Sequence, residues 1–336
     1  MTGDLILGIE TSCDDTSVAL VAEDGSVTAC ETVNQFTIHE AFGGVFPDLA
    51  SRAHLTAILP AVARVTGAIG HDRARIRAIA VTRGPGLIGS LLVGVNAAQG
   101  LGLAWGKPVI GVNHLRGHLR SPELEGQALA YPALVLLASG GHTVLARMES
   151  RERITALGAT RDDSMGECYD KVARSLGLPM PGGPAIDRLA LAGSPVHALP
   201  RPMLREGYDF SFSGLKSSVA RLLEREPALA ETEAGRADVA ASFVAACMEI
   251  AEAKLDRALA AHDVASVVVV GGVAASRQLR ARVQALADRH GIACTLPPPT
   301  WATDNAAMIA LAGWDYARAG QDPGLRADPA LPLDAW

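Results

Sequence analysis

The chain has 336 residues, of which 49% are hydrophobic, so it is long enough for two buried cores at about 150 residues per domain. Its formal charge is −6 and aromatic residues make up 4%, which indicates neither a basic face nor a surface that stacks several bases. Charge alone neither supports nor excludes an RNA partner.

The five cysteines are odd in number and none has CxxC spacing, which favours free thiols in a reducing compartment over a disulfide framework. No basic and apolar leader precedes the first strand, Leu5 to Ile9, so no signal peptide is predicted. No apolar run of transmembrane length is predicted either. We expect a soluble, cytoplasmic protein.

The first half of the chain begins with strands and continues with helices. LILGIE, SVALVAED and VTACETV predict three strands, the first two separated by the polar turn TSCDDT. A helix is predicted from about Pro47 to Val65. The buried strand IRAIAVTRG then ends at Gly-Pro-Gly, a second helix is predicted from about Gly89 to Trp105, and KPVIGVNH predicts a closing strand.

The same order returns in the second half. ALVLLASGGHTVLARME and ITALGAT predict three strands, and a helix follows near Met165 to Leu176. The buried strand VASVVVVGG precedes a helix from about Ala274 to His290, CTLPPP predicts a last strand, and a final helix begins near Asp304. The repetition predicts a duplicated α/β fold with a ligand cleft between its halves, where strands end.

We place the lobe boundaries by this repeat. The N-terminal lobe is predicted to span 1–112 and to be completed by a C-terminal helix over 304–325. The C-terminal lobe is predicted over 113–303, with a helical insert at about 184–254 that contains YDFSFSGLKSS.

His114 and His118 lie four residues apart, so a helix presents both on one face, where their nitrogens can bind one divalent ion. Taken alone, a pair of surface histidines is the more common explanation. A zinc protease of the HExxH type needs a glutamate after the first histidine, and Leu115 stands there instead. The pattern therefore argues against proteolysis.

Asp304 opens the last predicted helix. Alone, an aspartate here is best explained as a helix N-cap. This helix begins where the last strand of the second repeat ends, which is also where a ligand is expected. A carboxylate at this position can complete a site with two histidines.

Three polar or glycine-rich turns suit phosphate groups. Thr11–Thr16 and Ser139–Thr143 are equivalent hairpin turns, and hairpins use such residues without any ligand. Gly271 and Gly272 end a buried strand before a helix, an anion-binding arrangement that is neither a Walker loop nor GxGxxG.

Asp170 and Asp187 can accept hydrogen bonds from a ribose, a hydroxyl or an amine. An exposed helix face and a first-turn acid are the alternative explanations, respectively.

Eight motifs occur in an order that resembles one known family. They are GIETSCDDTSVAL, GPGL, NHLRGHL, LLASGGHT, GECYDKVA with PGGPAID, FSFSGLKS, VVGGVAAS and TDNAAMIA. Together they resemble the tRNA adenosine threonylcarbamoyltransferase family, TsaD. The resemblance runs from about Leu5 to the helix after Asp304.

The resemblance implies the two-lobed fold of actin, Hsp70 and sugar kinases (ASKHA). It implies a metal-dependent acyltransferase that moves threonylcarbamoyl from threonylcarbamoyl-AMP to the exocyclic amine of the adenosine 3′ of the anticodon, in tRNAs that read ANN codons. The implied partners are an inactive paralogue of the same fold (TsaB-like) and a small ATPase (TsaE-like), with no membrane.

The resemblance also implies site residues. The implied metal ligands are His114, His118 and Asp304, with iron as the expected ion and zinc as the alternative. The implied substrate contacts are Leu137, Ala138, Ser139, Gly140, Gly141, Asp170, Gly183, Asp187 and Ser276. Asp14 or Asp15 is a candidate for positioning or deprotonating the amine.

Three positions depart from the family pattern. Ser276 replaces an expected asparagine. Of the residue roles that the resemblance implies, substrate contact by Ser276 is the one that we expect to fail. Arg116 replaces a glutamate between the two histidines, and Asp15 stands where many members carry glutamate. None of the three is an implied metal ligand.

Two other functions remain open. A sugar kinase or ATPase of the same superfamily would hold magnesium with carboxylates, for which imidazole is a poor ligand, and would release ADP. A non-catalytic scaffold of the same complex would lack the metal histidines. His114 and His118 argue against both.

Overall fold

The computed structural model describes residues 4–39, 42 and 44–336. These residues divide into two compact units. Unit 1 comprises Met1–Leu129 and Thr303–Trp336, and unit 2 comprises Ala130–Ala302. Each unit contains one five-stranded mixed sheet, which confirms the predicted duplicated α/β fold.

The sheet of unit 1 has the order β3-β2-β1-β4-β5. Its strands are β1 (Leu5–Glu10), β2 (Asp15–Ala22), β3 (Val27–Asn34), β4 (Ile76–Gly84) and β5 (Val109–Asn113). Its helices are α1 (Phe36–His39), α2 (Pro47–Gly67), α3 (Ile88–Trp105), α4 (His114–Arg120) and, far along the chain, α11 (Ala306–Ala319). Short 3₁₀ turns span Arg73–Arg75 and Ser121–Gly126.

The sheet of unit 2 repeats that topology as β10-β9-β6-β7-β8. Its strands are β6 (Ala133–Ala138), β7 (Thr143–Met148), β8 (Ile154–Ala159), β9 (Ser266–Val270) and β10 (Ala293–Thr295). Its helices are α5 (Met165–Ser175), α6 (Gly182–Ala190), α7 (Ser213–Arg225), α8 (Ala228–Glu231), α9 (Glu233–Ala261) and α10 (Arg277–His290). Further 3₁₀ turns span Gly272–Ala275 and Pro299–Trp301.

In both sheets the first two strands pair antiparallel, and the first strand also pairs parallel with the strand that follows the helices. β1 is buried along its whole length, as is β6. Their continuous apolar sequences follow from helices covering both faces of a central strand. Between α5 and β9, helical structure begins at Gly182 and ends at Ala261, somewhat beyond the predicted insert.

The predicted boundary at 112/113 differs from the observed division, which falls after Leu129. The reason is the packing of α4 on α11. Gly117 lies so close to α11 that an added Cβ would come within 2.7 Å of Ile309 and 3.1 Å of Met308. Arg120 donates to Asp315 at 2.7 Å. The observed unit also continues past the predicted end at 325, to Trp336.

Helix α3 is 18 residues long and, by length and composition alone, apolar enough to cross a membrane. The expectation that no apolar run reaches that length is therefore wrong for this helix. Only 33% of helix α3 is buried inside the protein. One such helix is weak evidence for a membrane span, because helices of soluble proteins pass the same test.

The close approach of α11 to β1 gives a prediction about stability. A Cβ at Gly8 would overlap the carbonyl oxygen of Ala306 and lie 3.0 Å from the Cβ of Ala310. We expect Gly8→Ala to lower the free energy of unfolding by about 2–4 kcal/mol, because helix and sheet must separate. Thermal unfolding followed by circular dichroism measures it.

Gly100→Ala is the matched control. Gly100 lies in α3, where an added Cβ meets no described atom within 4 Å. Alanine there is expected to be neutral or to stabilise by up to ~1 kcal/mol. Equal unfolding midpoints for the two variants would contradict the packing argument.

Candidate functional site

Helix α4 places two imidazoles on one face. β5 ends at Asn113, whose side chain accepts a hydrogen bond from the Leu115 N–H and so caps the helix. His114 and His118 are one turn apart, and their ring centroids are 4.7 Å apart at an interplanar angle of 84°. Both rings are buried. The surface-pair explanation is therefore wrong.

Asp304 lies just before α11 and is not its cap. Asn305 is the N-cap, and its side chain accepts from the Met308 N–H at 2.9 Å. The next N–H, of Ala306, donates to Ser17 Oγ on β2 at 2.9 Å. The cap explanation for Asp304 is thus wrong, because its neighbour performs that role and α11 begins at Ala306.

The packing of α4 against α11 brings Asp304 to the histidines. Its Oδ1 lies 3.0 Å from His118 Nε2 and 3.7 Å from His114 Nε2. One ligand atom from each of the three residues lies within 4.8 Å of the other two. The Asp304 side chain is 26% exposed, whereas His118 is fully buried, so the group has one open side.

A buried carboxylate behind His114 was not predicted as a site residue. Glu10 ends β1, and its Oε2 accepts from Thr82 Oγ1 at 2.6 Å and lies 2.9 Å from His114 Nδ1. Its Oε1 accepts from the Ser12 N–H. The one available signal was an acid at the end of an otherwise apolar strand.

The charges around His114 set its protonation in the protein without an ion. Burial lowers its pKa, but the charges of Glu10 and Asp304 and the hydrogen bond with Glu10 outweigh burial and raise that pKa to about 9. Burial raises the pKa of Glu10, and His114 outweighs it, so the net direction is downward. Glu10 therefore stays ionised and fixes the imidazole with Nδ1 toward the carboxylate.

The three residues fit a divalent transition metal. In a tetrahedral site with bonds of about 2.1 Å, ligand atoms lie roughly 3.4 Å apart, close to the spacings from Asp304 to the two imidazoles. Both ring nitrogens of His118 are buried, and apart from the 3.0 Å approach of Asp304 to Nε2 neither has a polar partner among the described residues. Two imidazoles and a carboxylate suit iron or zinc rather than magnesium. A carboxylate bound to the far nitrogen of a metal-ligating histidine is a common support.

Asp14 lies just before β2 and Asp15 is its first residue, and both are partly exposed. Asp15 Oδ1 accepts from Asn34 Nδ2 at 2.7 Å. Burial and the charges of Asp304 and Asp14 raise the pKa of Asp15 to about 7. Burial and neighbouring Asp14 also raise the pKa of the Cys13 thiol well above its usual value. Cys13 is therefore a poor nucleophile at neutral pH.

In unit 2, the predicted substrate turn follows β6. Leu137 and Ala138 end that strand and are buried. In the turn, Ser139 N donates to His142 O at 2.8 Å and His142 N donates to Ser139 Oγ at 3.1 Å. An added Cβ on Gly140 or Gly141 would meet no described atom within 4 Å. Packing therefore does not require these two glycines, which leaves room for a ligand close to the backbone.

The next predicted contacts lie on helices α5 and α6. Asp170, on α5, accepts from the Gly182 N–H at 2.9 Å, and Gly183 follows in the first turn of α6. Asp187 is half-buried on α6, and its buried Oδ1 has no hydrogen-bond partner among the described residues. Burial raises the pKa of Asp187. An unsatisfied buried carboxylate oxygen is costly and suits a ligand that donates a hydrogen bond.

Ser276 is buried and caps α10. Its Oγ accepts from the Leu279 N–H at 3.4 Å, and the nearby hydroxyl lowers the pKa of the Asp187 carboxyl against the larger effect of burial. The structure thus brings Ser276 and Asp187 together. The cap alone is enough to explain a serine at this position.

The cap gives a second prediction. Ser276→Ala is expected to lower the free energy of unfolding by about 0.5–1 kcal/mol, whereas Ser276→Asn keeps a good N-cap and is expected to stay near the wild type. Thermal unfolding of both variants measures this. An asparagine variant as unstable as the alanine variant would argue against capping.

Comparison with known proteins places the chain in a family. The sequence model described as "TsaD: tRNA N6-adenosine threonylcarbamoyltransferase" matches residues 26–311. A tRNA N6-adenosine threonylcarbamoyltransferase from Geobacillus thermodenitrificans is 45% identical over 334 residues, covering 98% of this chain and 96% of the relative.

Two solved structures share the fold at low identity. The activator of 2-hydroxyisocaproyl-CoA dehydratase from Clostridium difficile, with bound ADPNP, has a TM-score of 0.54 at 14% identity and covers 94% of this chain and 97% of that chain. HypF from T. kodakarensis has a TM-score of 0.62 at 15% identity and covers 95% of this chain and 48% of that one.

These neighbours, together with the two equivalent mixed sheets, confirm the ASKHA fold. The family match and the identity over nearly the whole chain confirm the resemblance on which the site residues were named. The chain belongs to the TsaD family of tRNA N6-adenosine threonylcarbamoyltransferases.

Proposed function

We propose that this protein transfers the threonylcarbamoyl group from threonylcarbamoyl-AMP to the N6 amine of the adenosine 3′ of the anticodon in tRNAs that read ANN codons. Membership of the family supports a role in tRNA modification. The observation that carries the proposal is the convergence of His114, His118 and Asp304, with Glu10 behind the first histidine.

In the proposed reaction the amine nitrogen attacks the carbamoyl carbon. The bond between that carbon and the phosphate oxygen breaks, AMP leaves, and the amine gives up one proton. No covalent enzyme intermediate is needed, which agrees with the raised pKa of Cys13.

His114, His118 and Asp304 would hold one divalent ion, for which we propose iron, with zinc as the alternative. When bound, that ion supplies Lewis acidity and a template for a phosphate or carbamoyl oxygen. Glu10 holds His114 in the orientation that presents Nε2. Asp14 and Asp15 are proposed to hold the amine by accepting its hydrogen bonds, since both are acceptors at a partly exposed turn.

The residues of unit 2 are proposed to bind the adenylate. Backbone N–H groups of the turn Ser139–Gly141 suit phosphate oxygens. The buried Oδ1 of Asp187 suits a ribose hydroxyl, because it lacks a donor among the described residues. Asp170 is proposed to act by fixing the start of α6 through Gly182.

One reconstitution tests the activity. Purified protein is incubated with tRNA and threonylcarbamoyl-AMP labelled in the threonine, with and without the proposed partner proteins. Transfer of label to the tRNA with stoichiometric release of AMP is expected. ATP-dependent release of ADP with a small-molecule acceptor, and no labelled tRNA, would favour the kinase alternative.

We further propose that an inactive paralogue of the same fold and a small ATPase act with this protein in the cytoplasm. All five cysteines lie among the described residues and are free, which suits a reducing compartment. The surface between α2 and α3 is a candidate for contact with the paralogue. Leu55 and Leu59 on α2 and Leu92 on α3 are 63%, 57% and 46% exposed and line one apolar groove.

That surface gives a third prediction. The double variant Leu55→Glu with Leu92→Glu is expected to weaken association with the paralogue at least tenfold, because charge would enter an apolar contact. Analytical ultracentrifugation measures the association. Leu103→Glu is the control, because Leu103 lies on α3, is 88% exposed and does not line the groove. Equal effects of both changes would exclude the groove as the contact.

A further inference from the structure

Helix α4 is too short to fix its own orientation. It has seven residues, and an isolated helix of that length is not stable in water. A rotation of roughly 20° about its axis would move a ring nitrogen lying ~6 Å from that axis by about 2 Å. Ligand geometry tolerates only about 0.5 Å. Packing on the helix must therefore set where the two imidazoles point.

Arg116 lies two residues from each histidine and so projects from the opposite side of α4. It is 4% exposed. Its Nε donates to the carbonyl of Leu333 at 3.3 Å, and its guanidinium carbon lies 4.3 Å from the centroid of the Trp336 ring. A buried guanidinium above an indole is a strong cation–π contact.

The cap of α4 contacts the same stretch of chain, residues 328–336. Asn113 Nδ2 donates to the carbonyl of Pro332 at 2.7 Å and to that of Ala335 at 3.3 Å. Its Oδ1 at the same time accepts from the first turn of the helix. The segment 328–336 therefore contacts α4 both at its cap and at its middle.

The segment is itself anchored to the sheet of unit 1. Asp328 N donates to Arg83 O at 2.8 Å, and the Arg83 side chain donates to the carbonyl of Trp336. Leu331 and Leu333 are each 5% exposed. Gly84, at the end of β4, allows the segment to approach the strand closely, since a Cβ there would overlap the carbonyl of Asp328. The segment is thus a fixed support and not a loose tail.

We infer that Arg116 and the segment 328–336 position the two histidines for metal binding by fixing the rotation of α4. The inference rests on the proposed metal site. Arg116 is a positioning residue, because it projects from the side of α4 opposite the two histidines and acts through the helix backbone. The family resemblance leads one to expect a glutamate at this position, whose carboxylate would face carbonyl oxygens here. The guanidinium of Arg116 instead donates to these oxygens, so the arginine and the segment 328–336 complement each other in this chain.

The test uses cobalt(II) as the probe, because its visible spectrum reports coordination geometry. Trp336→Ala removes the ring over Arg116, and Trp336→Phe keeps an aromatic face. The dissociation constant of cobalt is measured by competition with a chromophoric chelator on the full chain, together with the spectrum and the unfolding midpoint of the ion-free protein. Trp336→Ala is expected to bind cobalt at least tenfold more weakly, with an altered spectrum, and Trp336→Phe to stay within about threefold of wild type.

Val62→Ala is the control for a general loss of stability. Val62 is buried in α2, in the core of unit 1, away from the segment 328–336. The Val62→Ala substitution is expected to lower the unfolding midpoint while leaving the cobalt affinity and the cobalt spectrum unchanged. Wild-type affinity and spectrum in Trp336→Ala, or an equal loss of affinity in Val62→Ala, would overturn the positioning role and leave the metal site standing. Failure of the wild-type protein to bind cobalt would overturn both proposals.

Discussion

His118→Ala is expected to reduce threonylcarbamoyl transfer on the order of 10³-fold while the protein stays folded. The one polar contact of the imidazole that the described residues show is with Asp304, whose carboxylate is 26% exposed and keeps access to water, so removal of the ring costs little stability. The substitution instead removes one of the three proposed metal ligands and leaves only Asp304 and His114. Bound iron or zinc is measured by inductively coupled plasma mass spectrometry, and transfer by labelled tRNA.

The expected ion content of the variant is below a tenth of that of the wild type, with an unfolding midpoint within a few degrees of the ion-free wild type. Leu119→Val is the control in the same helix, since Leu119 is buried but offers no ligand atom. Wild-type transfer rates in a His118→Ala preparation depleted of metal would contradict the proposed site.

Glu10→Gln is expected to weaken metal binding 10- to 100-fold, although Glu10 is not itself a proposed ligand. Its two oxygens accept hydrogen bonds from Ser12 N–H on one side and from Thr82 and His114 on the other. A glutamine must turn its NH₂ group toward one of these donors, whichever way it is placed. The change also removes the negative charge that stabilises a histidine bound to a cation.

Thr82→Val separates the effect of a lost hydrogen bond from the effect of the lost charge. It removes one hydrogen bond to Glu10 and leaves the charge. We expect it to weaken metal binding less than tenfold. Isothermal titration with zinc measures both variants. If the glutamine variant binds zinc as tightly as the wild type, then Glu10 does not support His114 in the way the geometry indicates.

Much of the fold could be predicted because it is a local property of the sequence. Alternation and buried apolar runs located both hairpins and both central strands, and the repeated order predicted two equivalent sheets. The spacing of His114 and His118 predicted a shared helix face, which the structure shows. The roles of these residues came from the family resemblance, and metal binding stays a prediction.

The remaining features depend on residues far apart in the chain. Glu10 meets Thr82 and His114 only after β1 and β4 have paired and α4 has followed β5. The lobe boundary was misplaced because Gly117 packs on α11, which lies beyond the whole of unit 2 in sequence. The segment 328–336 has no periodic pattern, and its importance is visible only from the carbonyl groups that it offers to Asn113 and Arg116.

Unit 1 is built from two stretches of chain, and this has a consequence for its synthesis. His114 and His118 leave the ribosome before unit 2, and Asp304 leaves after it. Unit 2 is one continuous stretch and can fold first, while the earlier stretch waits for α11. An ion held by all three residues would bind only the completed unit, and by mass action would stabilise it. Metal supply would then act on the yield of folded protein as well as on its turnover.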